Sequence, residues 1–196
     1  MAPALPPSVK VPAPDSESAV ALDLRDNLSG ASPRQATRVT LARDATHLRL
    51  RFGCEDTQPW ATLTRRDSPL YQEEVVEVFL DPFGDLECYF EIEVNPLNTV
   101  LDLMLRKIGK GWRKELAWSC NGLETSVSRD AAGWSAALAI PFAALAPRPP
   151  APGDVWRANF LRIDRPAGAP RELSAWSPTC RNTFHEPARF GFVEFQ

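Results

Sequence analysis

Two stretches of this sequence hold side chains that could grip a ligand rather than merely pack. In Tyr71-Gln-Glu-Glu-Val-Val-Glu77-Val-Phe-Leu-Asp81 an aromatic ring stands at the mouth of an apolar run that carries a carboxylate, Glu77, in its middle. In Ser174-Ala-Trp176-Ser-Pro178-Thr a second ring sits on a proline-pinned loop, followed by Phe184-His185-Glu-Pro187-Ala-Arg-Phe190-Gly191. A carboxylate flanked by apolar side chains costs several kcal/mol unless it is paired or hydrogen-bonded. Glu77 therefore needs a partner: a structural arginine (Arg65, Arg66, Arg106 or Arg162), or a ligand hydroxyl in a pocket, with an arginine orienting the carboxylate. Glu91, Glu93 and Asn95 alternate onto one face of the next segment, where they are either solvated or, on a concave surface, a polar array for hydroxyl groups. Flat aromatic faces together with carboxylates, amides and guanidinium groups are what a pyranose ring needs.

Of the six tryptophans, Trp112, Trp118, Trp134 and Trp156 lie in or beside strand-like patterns and read as packing residues. Trp60, after Asp56-Thr-Gln-Pro59, and Trp176 lie in loop contexts and are the two rings free to face a ligand. Trp176 is expected to face solvent, close to Tyr71.

These groups must be positioned by strands. Period-2 alternation dominates: Leu48, Leu50, Phe52 and Cys54 point one way over 47–55, Cys88, Phe90, Ile92 and Val94 over 88–95, and Leu101, Leu103 and Leu105 over 99–106. Residues 75–81 are apolar on both faces apart from Glu77, the pattern of a central strand covered on both sides. Further strands are expected at 37–43, 123–129, 134–140, 156–163 and 192–195, separated by turns such as Asn121-Gly122 and Pro152-Gly153-Asp154. Pro141-Phe-Ala-Ala-Leu145 is the one short helix expected, since 19 prolines against 10 glycines disfavour long ones. Nine or ten such strands make an all-β, two-sheet antiparallel sandwich of immunoglobulin-like or jelly-roll-like architecture. Phe90, Ile92, Val94, Leu101, Leu103, Leu138 and Phe160 are expected in its core. A Pro-rich N-terminal arm, 1–15, mobile or draped, is expected to precede a single domain over 16–196.

Length and a 44% hydrophobic composition suit one domain, and a net charge of −3 without a Lys/Arg cluster favours neither nucleic acid nor an anionic membrane as a partner. Met1 to Ser18 lacks a basic leader and a continuous apolar run, which leads us to expect a cytoplasmic location. Cys54, Cys88, Cys120 and Cys180 form no CxxC pattern and read as free thiols.

Over residues 20–196 the chain resembles the family 9 carbohydrate-binding modules and the wider DOMON-like β-sandwich group. The resemblance rests on the Tyr71…Glu77…Asp81 segment and on Trp176-Ser-Pro with Pro187-Ala-Arg-Phe-Gly191. It implies non-catalytic binding of a mono- or oligosaccharide clamped between two rings at one end of the sandwich. By position Tyr71 and Trp176 would be the rings, Glu77 the strand glutamate and Asn95 a hydroxyl-binding amide, with Glu93, where the family has an arginine, beside them. Trp60 and Arg66 complete the expected carbohydrate-binding set. Family members often carry structural calcium, for which Asp81, Asp85 and Glu87 form an oxygen cluster, although an acidic hairpin turn is the simpler account of the same residues.

Two other functions fit the same residues. A haem-binding DOMON-like electron-transfer domain would need axial ligands, for which Met104, His47 and His185 are available. A glycoside hydrolase would use Glu77, Glu91 or Glu93 as an acid and base pair.

Overall fold

The computed structural model describes residues 5–14, 18–109, 111–166 and 168–196. Alternating valines and leucines build a five-stranded sheet ordered β10 (Glu124–Asp130), β11 (Gly133–Pro141), β5 (His47–Glu55), β4 (Thr37–Arg43) and β2 (Val20–Asp23). A nine-stranded sheet faces it, ordered β1 (Ser8–Val11), β14 (Gly191–Phe195), β12 (Val155–Asp164), β6 (Val75–Asp81), β7 (Cys88–Val94), β8 (Val100–Ile108) and β9 (Gly111–Glu115). Its short strands β13 (Glu172–Ala175) and β3 (Arg25–Asp26) continue from the β12 side. Pairing is antiparallel throughout except for β1, which runs parallel to β14. The all-β sandwich expected from alternation is what forms. The α-helix among the described residues is the single turn α1 (Phe142–Leu145), and none of their helices is long and apolar enough to cross a membrane.

The nine-stranded sheet is apolar on both faces, and this decides where the candidate residues lie. Its inner face carries Val76, Val78, Leu80, Phe90, Ile92, Val94, Ala158 and Phe160 against Leu41, Leu50, Phe52 and Leu138 of the other sheet. Its outer face carries Val75, Phe79, Tyr89, Leu101, Leu103, Leu105, Leu161 and Ile163 beneath two long excursions, 56–74 and 176–190, which contribute Leu63, Leu70, Phe184 and Phe190. Each Val, Leu, Ile or Phe side chain taken fully out of water stabilises the fold by roughly 1.5–3 kcal/mol. Leu101 and Leu103 thus pack in the outer layer and not in the inter-sheet core, because their strand parity sets them beside Glu91 and Glu93 on the same face.

The Pro-rich N-terminal arm contains a strand of the sheet: Val9 and Val11 of β1 are buried in the core against β14, so from Ser8 to Val11 it is neither mobile nor draped. Its expected end near residue 15 falls outside the described residues.

Candidate functional site

Antiparallel register places Glu77 of β6 directly opposite Glu93 of β7, and Glu91 follows two positions along the same outer face. One carboxylate oxygen from each lies within 4.8 Å of the others, and all three residues are buried, at 2%, 1% and 0% exposure. Among the described residues, Glu77 Oε1, Glu91 Oε2 and both oxygens of Glu93 have no hydrogen-bond partner. None of the four arginines available to Glu77 pairs with it. Arg66 is spent on Asp102 at 2.6 Å, while Arg162, fully buried, donates to Asp56 (2.8 Å), Glu74 (3.0 Å) and Asp164 (3.3 Å). Burial first, then the charge of Glu91, holds the Glu77 carboxyl well above its ordinary value; burial and both neighbours do the same to Glu93.

Glu77 and Glu91 form the floor of a cleft of about 220 Å³ whose walls include Tyr71, Lys114, Arg171, Asn182, Phe184 and His185. The short 3₁₀ turn Leu70–Gln72 leads into β6; it buries Leu70 and leaves Tyr71 38% exposed at the mouth. The Lys114 ammonium lies over that ring, 4.8 Å from its centroid, a cation–π contact. Arg165 donates to the Tyr71 carbonyl at 3.2 Å and fixes the backbone there. Across the cleft, His185 stacks on Phe79 with ring centroids 5.3 Å apart, and its Nδ1 is 2.7 Å from the Tyr89 hydroxyl. Burial lowers the His185 pKa in spite of Glu91.

Of the expected set, the fold gathers Tyr71 and Glu77 at the cleft, with Glu93 packed behind its floor. The others do other work. Trp176 is 7% exposed, on the inner side of the sheet with its ring 5.5 Å from Phe160, so it neither faces solvent nor approaches Tyr71. Asn95 is fully buried and ties the β7–β8 turn: its Oδ1 accepts from the Leu97 and Thr99 amides and its Nδ2 donates to the Leu63 carbonyl at 2.8 Å. Trp60 donates its indole N–H to the Arg165 carbonyl at 2.6 Å and lies outside the cleft. Arg66 holds Asp102, on the opposite face of the sheet from Glu77. Sequence reasoning did not assign Lys114, Arg171, Asn182 or Phe184 to a site. Lys114 stands on the polar edge strand β9, and the other three are on loops without periodicity.

Asp81 accepts from the amides of Phe83, Gly84 and Leu86, and Glu87 pairs with Lys107. These carboxylates shape the hairpin turn. Met104 packs on the inner face of the nine-stranded sheet and His185 on the outer, so the two cannot hold one haem between them.

Residues 26–195 match the family model described as carbohydrate-binding family 9. A comparison with curated proteins finds no match. Among solved structures, a putative carbohydrate-binding protein from Bacteroides uniformis is 17% identical, with a TM-score of 0.76 over 97% of this chain and 99% of that one. A family 9 carbohydrate-binding module from Caldicellulosiruptor kristjanssonii in complex with cellotriose is 16% identical, with a TM-score of 0.71 over 96% and 93% of the two chains. The same organism's family 9 module in complex with glucose is 16% identical, with a TM-score of 0.68 over 96% and 95%. At these identities the likeness is one of fold.

Proposed function

The chain belongs to carbohydrate-binding family 9, and from that premise we propose that it binds a mono- or oligosaccharide without catalysis in the cleft between Tyr71 and the 182–185 loop. The observation that carries this reading is an exposed aromatic residue lining the same cleft as buried carboxylate oxygens that no donor among the described residues satisfies. The Tyr71 face would stack on the C–H face of a pyranose, Glu77 and Glu91 would accept from its hydroxyls, and Arg171, Lys114 and Asn182 would donate from the rim. Solved family 9 structures with cellotriose and glucose support a saccharide of this size as ligand. Binding without hydrolysis is supported by the placement of the carboxylates. Glu77, Glu91 and Glu93 lie together on one face of the sheet, whereas glycosidases set their two carboxyls on either side of the scissile bond.

Titration calorimetry with glucose, cellotriose and a panel of other oligosaccharides tests the proposal. A ligand from the panel should bind, and Tyr71→Ala should weaken it roughly tenfold, ~1.4 kcal/mol, with little change in melting temperature because the ring is partly exposed. Unchanged affinity in that variant would move the site elsewhere.

A further inference from the structure

Resting on the saccharide reading above, we propose that His185 is a preset hydrogen-bond donor to the ligand and that Tyr89 is the residue that presets it. The imidazole lines the wall of the cleft with its side chain 36% exposed. One face lies on Phe79, with ring centroids 5.3 Å apart and planes 18° from parallel. The backbone behind it is held as well: the His185 amide donates to the Thr183 hydroxyl at 3.2 Å, and the neighbouring Phe184 is buried.

What this ring offers the cleft is decided by Tyr89. That residue is fully buried, edge-on to Phe190 and Trp112, and its hydroxyl lies 2.7 Å from His185 Nδ1. Burial pushes the phenol pKa up, so the hydroxyl keeps its proton, and a buried hydroxyl that donates to nothing is costly. Glu91 Oε2, 4.0 Å from Nδ1, accepts from no described residue, which leaves Nδ1 as the acceptor. Burial lowers the His185 pKa against the pull of Glu91, with Lys114 adding to the effect, and this keeps the ring neutral at neutral pH. A neutral imidazole with a lone pair on Nδ1 carries its proton on Nε2. No described residue takes that proton, and it is left for the cleft.

Such a donor complements the floor. Glu77 and Glu91 select a hydroxyl for its proton, whereas Nε2–H selects a lone pair on an oxygen of the same ligand. It cannot become an acceptor while Tyr89 holds Nδ1. A saccharide lacking that oxygen, or carrying an ammonium in its place, would leave the N–H unpaired, the kind of mismatch that polar sites reject most strongly.

The tautomer is measured with no sugar present, which separates this inference from the saccharide proposal. In the full chain at neutral pH, heteronuclear NMR of the ring nitrogens should show His185 protonated at Nε2 and bare at Nδ1, with His47→Gln removing the other histidine signal. Tyr89→Phe keeps the ring contacts and deletes the hydroxyl, and the spectrum should change to a mixture in which Nδ1 also carries the proton. Calorimetry then uses whichever of glucose, cellotriose and the wider oligosaccharide panel binds. His185→Ala should weaken it roughly three- to tenfold, the worth of one hydrogen bond. Tyr89→Phe should weaken it at least about twofold, because only part of the population then presents the donor. His185→Gln, whose amide can set an N–H near the place of Nε2, should recover part of the loss. A proton on Nδ1 in the parent, or a tautomer unmoved in Tyr89→Phe, overturns the proposal, and so does a sugar bound equally well by parent and His185→Ala. If no sugar in the panel binds, the saccharide reading fails and the ligand contact with it, while the spectrum alone still decides whether Tyr89 sets the tautomer.

Discussion

Tyr71 and Trp176 look alike in the sequence, each an aromatic residue beside loop residues, and the fold separates them completely. The deciding fact is parity. Leu173 and Ala175 of β13 face the outer layer, so Ser174 and then Trp176 must face inward, and the Trp176 amide still bonds to the Phe160 carbonyl of β12 at 2.9 Å. Alternation carried one residue past the strand would have revealed this, but the Ser-Ala-Trp-Ser-Pro context conceals the strand that sets the phase. Trp176→Ala should therefore destabilise the fold by about 3–5 kcal/mol in denaturant melts, and the protein that remains folded should bind saccharide as before. Tyr71 and Glu77 were legible because a ring at a strand mouth and a charge inside an apolar run each break a local pattern. The pairing of Glu77 with Glu93 was not, since it depends on the β6–β7 register. Lys114 and Phe184 reach the cleft through long-range folding that no local spacing encodes.

At the scale of elements, β4, β5, β6 and β12 were legible because strong alternation or a doubly apolar run fixed them within a residue. β1, β2, β3, β9 and β13 were not. They are short or polar, and sheet neighbours hold them more than their own sequence does. The β4–β5 turn is held by one carboxylate. Burial pushes the Asp44 carboxyl up, but the Thr46 and His47 amides, the Thr46 hydroxyl and Arg49 outweigh it and hold the carboxyl well below the ordinary range. With the folded value below the unfolded one, its contribution is present above about pH 4 and is lost as pH falls through the folded value. Asp44→Asn should cost about 1 kcal/mol at pH 7, and urea melts of parent and variant should converge as pH is lowered below 4. A gap that stays constant down to pH 2.5 would mean the charge contributes nothing.

Considered whole, the molecule is a sandwich with a third, partial layer of loops, and the cleft lies in that layer and not between the sheets. The sequence made the two-sheet architecture legible through its repeated alternation. It did not make the outer layer legible, because residues 56–74 and 176–190 bury single side chains without a period. The N-terminal strand belongs to the same account: β1 covers the edge of β14 and supplies Val9 and Val11 to the core. Removing residues 1–11 should cost roughly 3 kcal/mol or more, from two buried valines, and should leave the β14 edge open to pairing with another chain. Thermal melts and size-exclusion chromatography check both. The same corner holds a close contact: a Cβ added at Gly191 would lie 2.4 Å from the Trp176 ring and 2.9 Å from the Pro7 carbonyl oxygen. The indole, the first residue of β14 and the residue leading into β1 thus meet at one point. That makes Trp176 a built-in optical probe: its fluorescence, isolated by subtracting the spectrum of a Trp176→Phe variant, should shift to the red when the terminal strand undocks, while the rest of the sandwich is still folded.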